Sequence, residues 1–296
     1  MTELSTKSWS DIKPHVRFLK EILQQQKKEY IESMFGVEIP LQTFDPFMIN
    51  EAVEYLNVSM VNLLAYKRLV CGNYFAWGKV TLYYSQFYAI NSLLRLRRYA
   101  LVHLKFFEQK EPLILKIQKP RGRSVYVVEK CGARGHENAW DMFAQKYPEF
   151  ASKNKELAKS LGRYSISERE DWNYDLFYTS QNTGKYILRE AKERCENNFL
   201  DPDYDAKHSG SEGEAEYYGE LMAQTGFEEA GTGQYQKFAI DTLEKIARNS
   251  KYSECYSSLL SNIVDSVQTV DSSDEMKKEM TEWLSKAIEQ INQGKT

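Results

Sequence analysis

Two stretches of this chain carry residue types that could do chemistry on a phosphate. The first is "RRYALVH", where Arg98 and His103 stand five positions apart. An arginine can neutralise a phosphate through two parallel hydrogen bonds. A histidine can move a proton near neutral pH, because its unperturbed pKa is about 6.5. On one straight helix, five positions leave a roughly 140° offset, so the pair would converge only at a helix end, at a turn or across two copies of the chain. The other reading is an arginine favouring a helix C-terminus beside a surface histidine. The second stretch is "REDWNYD", with Arg169 and Tyr174 five apart and Asp175 adjoining. Arg169 could hold a phosphate, and Tyr174 could donate a hydrogen bond or stack on a base. Alternatively, Arg169 pairs with Asp171 or Asp175 while Tyr174 packs in the core.

A third signal is charge. From Arg95 to His136 run Arg95, Arg97, Arg98, Lys105, Lys110, Lys116, Lys119, Arg121, Arg123, Lys130 and Arg134, against Glu108, Glu111 and Glu129 alone. Of these, Lys116, Lys119, Arg121, Arg123 and Arg134 are the expected phosphate contacts of a nucleic-acid-facing surface. A solvated basic hairpin is the plainer alternative. The stretch 196–232 is acidic, with Lys207 its one lysine or arginine.

Other chemistries lack their residues. The chain has no Gly-rich phosphate loop, no dinucleotide fingerprint, no Gly-x-Ser-x-Gly elbow and no His-Glu-x-x-His. Its four cysteines have no Cys or His partner at ligand spacing, which argues against a structural zinc. The expectation is reduced thiols, no cofactor, no membrane span and a cytoplasmic protein.

The elements that must position these residues are mostly helical. The 296 residues are 42% hydrophobic and 27% charged, enough apolar content for a real core despite a net charge of −3. A long amphipathic helix is expected over 8–34. A second should begin at Asp45 as cap with Pro46 in the first turn, and run to about Val70. A third covers roughly Tyr74 to Leu96, with Tyr83, Phe87, Ile90 and Leu94 on the core face. Between 100 and 131, "LVHLKFF", "LILKIQK" and "RSVYVVEK" predict a β-hairpin or three-stranded insertion, with a turn at Pro120 and Gly122. Helices follow at 136–143, 153–161 and 184–199. A polar, acidic linker spans 201–232, and three more helical patterns fill 233–296. Ser272 or Ser273 is a candidate cap for the last.

Taken in order, "YYSQFYAINSLL" (Tyr83 to Leu94), "GHENAWDMF" (His136 with Phe143 seven positions on), "REDWNYD" and the closing "GKYILREAKERCENNFL" resemble the HEPN domain of prokaryotic toxins and defence proteins. The resemblance spans about 45–200. It implies a mainly α fold: an up-and-down helical bundle, often dimeric, with the β-rich segment as an insertion. Residues 1–44 become an N-terminal extension and 233–296 a helical addition.

It further implies a metal-independent endoribonuclease of bacterial defence or a toxin–antitoxin system. Arginine would stabilise the phosphorane while histidine moves the proton. Carried over, Arg169 binds phosphate, and His136 or His103 acts as acid–base with Tyr174 nearby. The chain departs from the family's Arg-x(4–6)-His motif, because Tyr174 stands where histidine is expected. That departure keeps open a non-catalytic module that binds a nucleotide or a partner protein, such as a nucleotidyltransferase. A plain helical scaffold is the third reading.

Overall fold

The computed structural model describes residues 19–71, 75–106, 112–132, 135–148, 232–248, 253–270 and 275–294. The protein is mainly helical with one small antiparallel sheet. In chain order the elements are α1 (Leu19–Gln24), α2 (Lys28–Ser33), β1 (Glu38–Pro40), α3 (Leu41–Cys71), α4 (Phe75–Leu96), β2 (Tyr99–Leu104), β3 (Leu113–Gln118), β4 (Val125–Lys130) and α5 (Gly135–Lys146). Then come α6 (232–248), α7 (Ser253–Thr269) and α8 (Glu275–Gln293). The expected helices at 153–161 and 184–199, the linker and the Ser272 or Ser273 cap lie outside the described residues.

The helices α3 and α4 form an antiparallel hairpin. Ser92 Oγ donates to the Ala52 carbonyl at 2.7 Å, and Ser59 and Ser85 exchange hydroxyl-to-carbonyl bonds at 2.7 Å. These small side chains let two backbones approach and satisfy each other. The α4 core face is the expected one: Tyr83, Ile90 and Leu94 are buried, and Phe87 packs against them. The C-terminal helices complete this same core. Buried Tyr256, Leu260, Ile263 and Val267 of α7, and Met280, Leu284, Ala287 and Ile291 of α8, recur at three- and four-residue steps. From α6, Gln236 Nε2 donates to the Ser59 and Ser85 hydroxyls at 2.9 and 3.2 Å.

The sheet order is β1-β4-β3-β2. The three expected strands are present, and β1 is a fourth that sequence patterning missed. The turn at Pro120 also holds: Gly122 has φ +77°, and Arg123 N–H donates to the Pro120 carbonyl at 3.3 Å. The sheet is not a free-standing insertion. Ala100, Val102, Leu104, Leu115, Ile117, Tyr126 and Val128 build a second core with Leu19, Leu23, Ile31, Phe44, Phe47 and Met48.

This second core explains two departures from expectation. First, α3 starts at Leu41, so Pro46 lies inside it and Asp45 does not cap it. Burial of Phe44, Phe47 and Met48 outweighs the backbone bond that Pro46 cannot donate. Second, within the described part of 8–34 the chain breaks between α1 and α2. A Gln26 N–H bond to the Leu23 carbonyl at 3.1 Å turns it, so that Leu23 and Ile31 reach one core.

A buried ion pair sits where the two cores meet. Arg95 Nε donates to Glu51 Oε2 at 2.6 Å, with the side chains 2% and 3% exposed. The other Glu51 oxygen accepts the Leu19 N–H at 2.8 Å. The guanidinium also reaches the Tyr99 and Leu101 carbonyls at 3.5 and 3.4 Å. Burial opposes the Arg95 charge, but Glu51 together with Tyr55 and Tyr99 outweighs it, and the pKa stands above the usual arginine value. Arg95 is therefore a core residue, not part of a basic surface.

Candidate nucleic-acid interface

The junction from α4 to β2 fixes the first candidate pair. Arg98, two residues past the end of α4, takes the left-handed conformation, φ +58°, and so turns the chain into the sheet. That conformation costs a non-glycine residue roughly 1–2 kcal/mol. Its side chain grips Asp45 with both arms: Nε to Oδ1 at 2.9 Å and Nη2 to Oδ2 at 3.2 Å. Tyr126 Oη donates to the same Oδ1 at 2.6 Å. The hydrogen bond that Arg98 donates to Asp45 raises the Arg98 pKa against a lesser effect of burial. Burial, then the Asp45 charge, raises that of Tyr126. Arg98 is thus held by a carboxylate that ties α3, α4 and β4 together.

His103 lies further along β2, paired with Ile114, and is exposed. Five extended residues separate it from Arg98 by roughly 16 Å. The structure does not bring the two together. Partial burial and then the Lys20 charge lower the His103 pKa, so the imidazole is neutral at neutral pH. His136 is in the first turn of α5, with its side chain outside the described residues. Arg169, Tyr174 and Arg134 also lie outside them.

The remaining basic residues gather on the sheet. Arg123 pairs with Glu38 at 2.7 Å, both well exposed. Arg121 is exposed at the turn, and Lys119 follows β3 with its N–H on the Arg98 carbonyl at 3.0 Å. Lys116 Nζ contacts Glu129 Oε2 at 2.5 Å across the β3–β4 pair.

Two further cations, neither among the expected site residues, lie near the end of α4 and at the end of α5. Arg97 is exposed after α4, with its guanidinium carbon 4.9 Å from the centre of the Tyr147 ring. Tyr147 Oη donates to the Leu93 carbonyl at 2.6 Å, and its ring packs on Phe143 and Phe238. Lys146 ends α5 beside it. Burial, then repulsion from Lys116 and Arg97, lowers the Lys146 pKa. Only the tertiary fold joins these residues; the "KY" after α5 carries no signal by itself. Tyr99 and Gln118 share the sheet face of Lys116, since Tyr99 pairs with Gln118 and Leu101 with Lys116.

Among the described residues no group of His, Cys, Asp and Glu is arranged to hold a metal ion, and no helix is long and apolar enough to cross a membrane. Comparison with protein-family models, curated proteins and solved structures finds no match.

Proposed function

We propose that this is an RNA-directed protein of HEPN-like type, binding the phosphate backbone through the basic residues of its sheet and the adjoining helix ends. One observation carries the reading. Of the described basic residues of 95–130, Arg95 and Arg98 are engaged by Glu51 and Asp45, while Arg97, Lys105, Lys119, Arg121 and Lys130 reach the surface beside the solvent-accessible ion pairs of Lys116 with Glu129 and Arg123 with Glu38. Exposed lysines and arginines so placed attract a polyanion and release its counterions. The helical bundle and the resemblance add support. On the resemblance, the protein would act as a homodimer in bacterial defence or a toxin–antitoxin system, beside a partner such as a nucleotidyltransferase.

The catalytic form of this proposal assigns Arg169 to the phosphate, His136 or His103 to proton transfer, and Tyr174 to a hydrogen bond, with no metal. The binding-only form is favoured by Arg98 and His103, which stand apart on their strand and junction. One experiment separates the two. The purified chain is incubated with total RNA in EDTA beside Arg169→Ala, His136→Ala and His103→Ala. Cleavage in EDTA that one variant abolishes establishes the enzyme and its histidine. Salt-sensitive retention without cleavage establishes the binding module. Neither activity ends the RNA reading.

A further inference from the structure

We propose that the outer edge of β2, from Leu101 to Lys105, binds an extended acidic segment of a partner polypeptide as a further antiparallel strand, with the Gln24 carboxamide as a stand-in that the partner's backbone displaces. This site is separate from the RNA reading and does not depend on it.

The pairing of β2 with β3 fixes which peptide groups are available. Lys119 N–H donates to the Arg98 carbonyl at 3.0 Å, which makes these two a hydrogen-bonded pair. Cys131 N–H donates to the Ile114 carbonyl at 2.8 Å, so Ile114, the partner of His103, turns that group away from β2. Hydrogen-bonded pairs alternate along an antiparallel ladder. Ala100, Val102 and Leu104 therefore bond β3, while Tyr99, Leu101, His103 and Lys105 turn their N–H and C=O groups to the free side.

Cover on that side is partial. Arg95 reaches the Tyr99 and Leu101 carbonyls only at 3.5 and 3.4 Å. His103 is exposed, and its N–H and carbonyl have no hydrogen-bond partner among the described residues. At Lys105 the N–H donates to Gln24 Oε1 at 2.9 Å, and the carbonyl accepts from Gln24 Nε2. One donor and one acceptor are what a paired strand residue offers, so a side chain fills a backbone's place. Both bonds of this clasp are exposed, and a strand that replaces it leaves no Lys105 group unpaired.

Charge selects the occupant. Lys105 is exposed at the end of the edge. Lys20 is exposed one turn before Gln24 on the same side of α1. Burial and then the Lys20 charge lower the His103 pKa, which agrees with Lys20 lying beside His103. Glu21 sits about 100° further round the helix. Two lysines beside open peptide groups favour a strand that carries carboxylates. They oppose a second copy of this chain, because antiparallel pairing about His103 would gather the Lys20 and Lys105 of both copies at one seam.

The test uses the full chain and a fluorescent, end-blocked peptide of three Glu-Val repeats, read by anisotropy. Saturable binding is expected, about three- to tenfold tighter than that of the matching Lys-Val peptide. Two further probes are N-methylated, one at every Glu and one at every Val. One of them should lose binding and the other keep it, because a strand pairs along one edge only. Gln24→Ala should tighten binding about two- to tenfold, the net worth of one hydrogen bond. A misfolded variant would not bind tighter. Lys20→Glu combined with Lys105→Glu should reverse the preference toward the Lys-Val peptide. An acidic probe that does not bind overturns the proposal, as does binding that both methylated probes retain. A Gln24→Ala chain that binds no tighter than wild type also overturns it. Self-association of Gln24→Ala in sedimentation that excludes the probe would give the edge to a second copy and overturn the partner assignment.

Discussion

Arg95 and Arg98 lie on either side of Arg97, yet the three belong to two different regions. Arg95 and Arg98 point inward to carboxylates at 2.6 and 2.9 Å, and each ties a strand to a helix. Arg97 is exposed and lies over an aromatic ring. In the first region, charge is a fastening: Arg95 is a buried ion that would be severely penalised without its partner, and the half-exposed Arg98 is gripped by both oxygens of Asp45. In the second, charge is a surface field, because an exposed pair is worth little. The same residue type, one position apart, therefore serves stability or recognition according to the carboxylates that the fold brings near.

Breaking the inner region should produce the largest effect. Glu51→Ala leaves Arg95 buried without a counter-charge and orphans the Leu19 N–H, at a cost of about 3–5 kcal/mol in urea unfolding. A loss under about 1 kcal/mol would show that water reaches this site and that the distinction is wrong. The double change Glu51→Leu with Arg95→Met sharpens the point: replacing both ions by apolar groups should recover most of the loss. Asp45→Ala should cost about 1–3 kcal/mol, since the Arg98 fork and the Tyr126 hydroxyl lose their acceptor together. By contrast, Arg123→Ala in the outer region should change stability by less than about 0.5 kcal/mol, because its pair with Glu38 is solvated.

The smallest effect concerns His103. Its folded pKa lies below the ordinary value of 6.5, so the folded state prefers the neutral ring. Its contribution to stability is then intact above about pH 6.5 and declines as pH falls through that range. NMR titration of the imidazole should give a midpoint below 6.5, and His103→Gln should remove that part of the acid sensitivity. A midpoint above 6.5 would instead mean that an anion faces the ring.

Much of the helical region was legible in the sequence. The α4 face and the α6 to α8 patterns are strongly periodic, and three β-rich runs bounded by Pro and Gly gave β2, β3 and β4. The misses have physical causes. β1 is three residues long, too short for alternation to register. The true start of α3 depends on a second core contributed by the sheet and by α1 and α2, which local propensity cannot see. Arg95 looked like surface charge because its acceptor, Glu51, is 44 residues away. The candidate residues Arg169, Tyr174 and the His136 side chain fall outside the described part of the chain.

The outer edge of β2 has a consequence for the route by which the protein folds. As the last strand of the sheet, β2 would present bare peptide groups along one side. Arg95 covers the Tyr99 and Leu101 carbonyls, while Gln24 bonds both the N–H and the carbonyl of Lys105. The Gln24 clasp spans 81 residues of chain, so its closure carries a loop-entropy cost that falls once the long helical hairpin between its ends has formed. Until then the strand is open to pairing with another molecule. The interval before closure is when a nascent or refolding chain is most exposed to aggregation, and a chain weakened at Gln24 would remain in it longest.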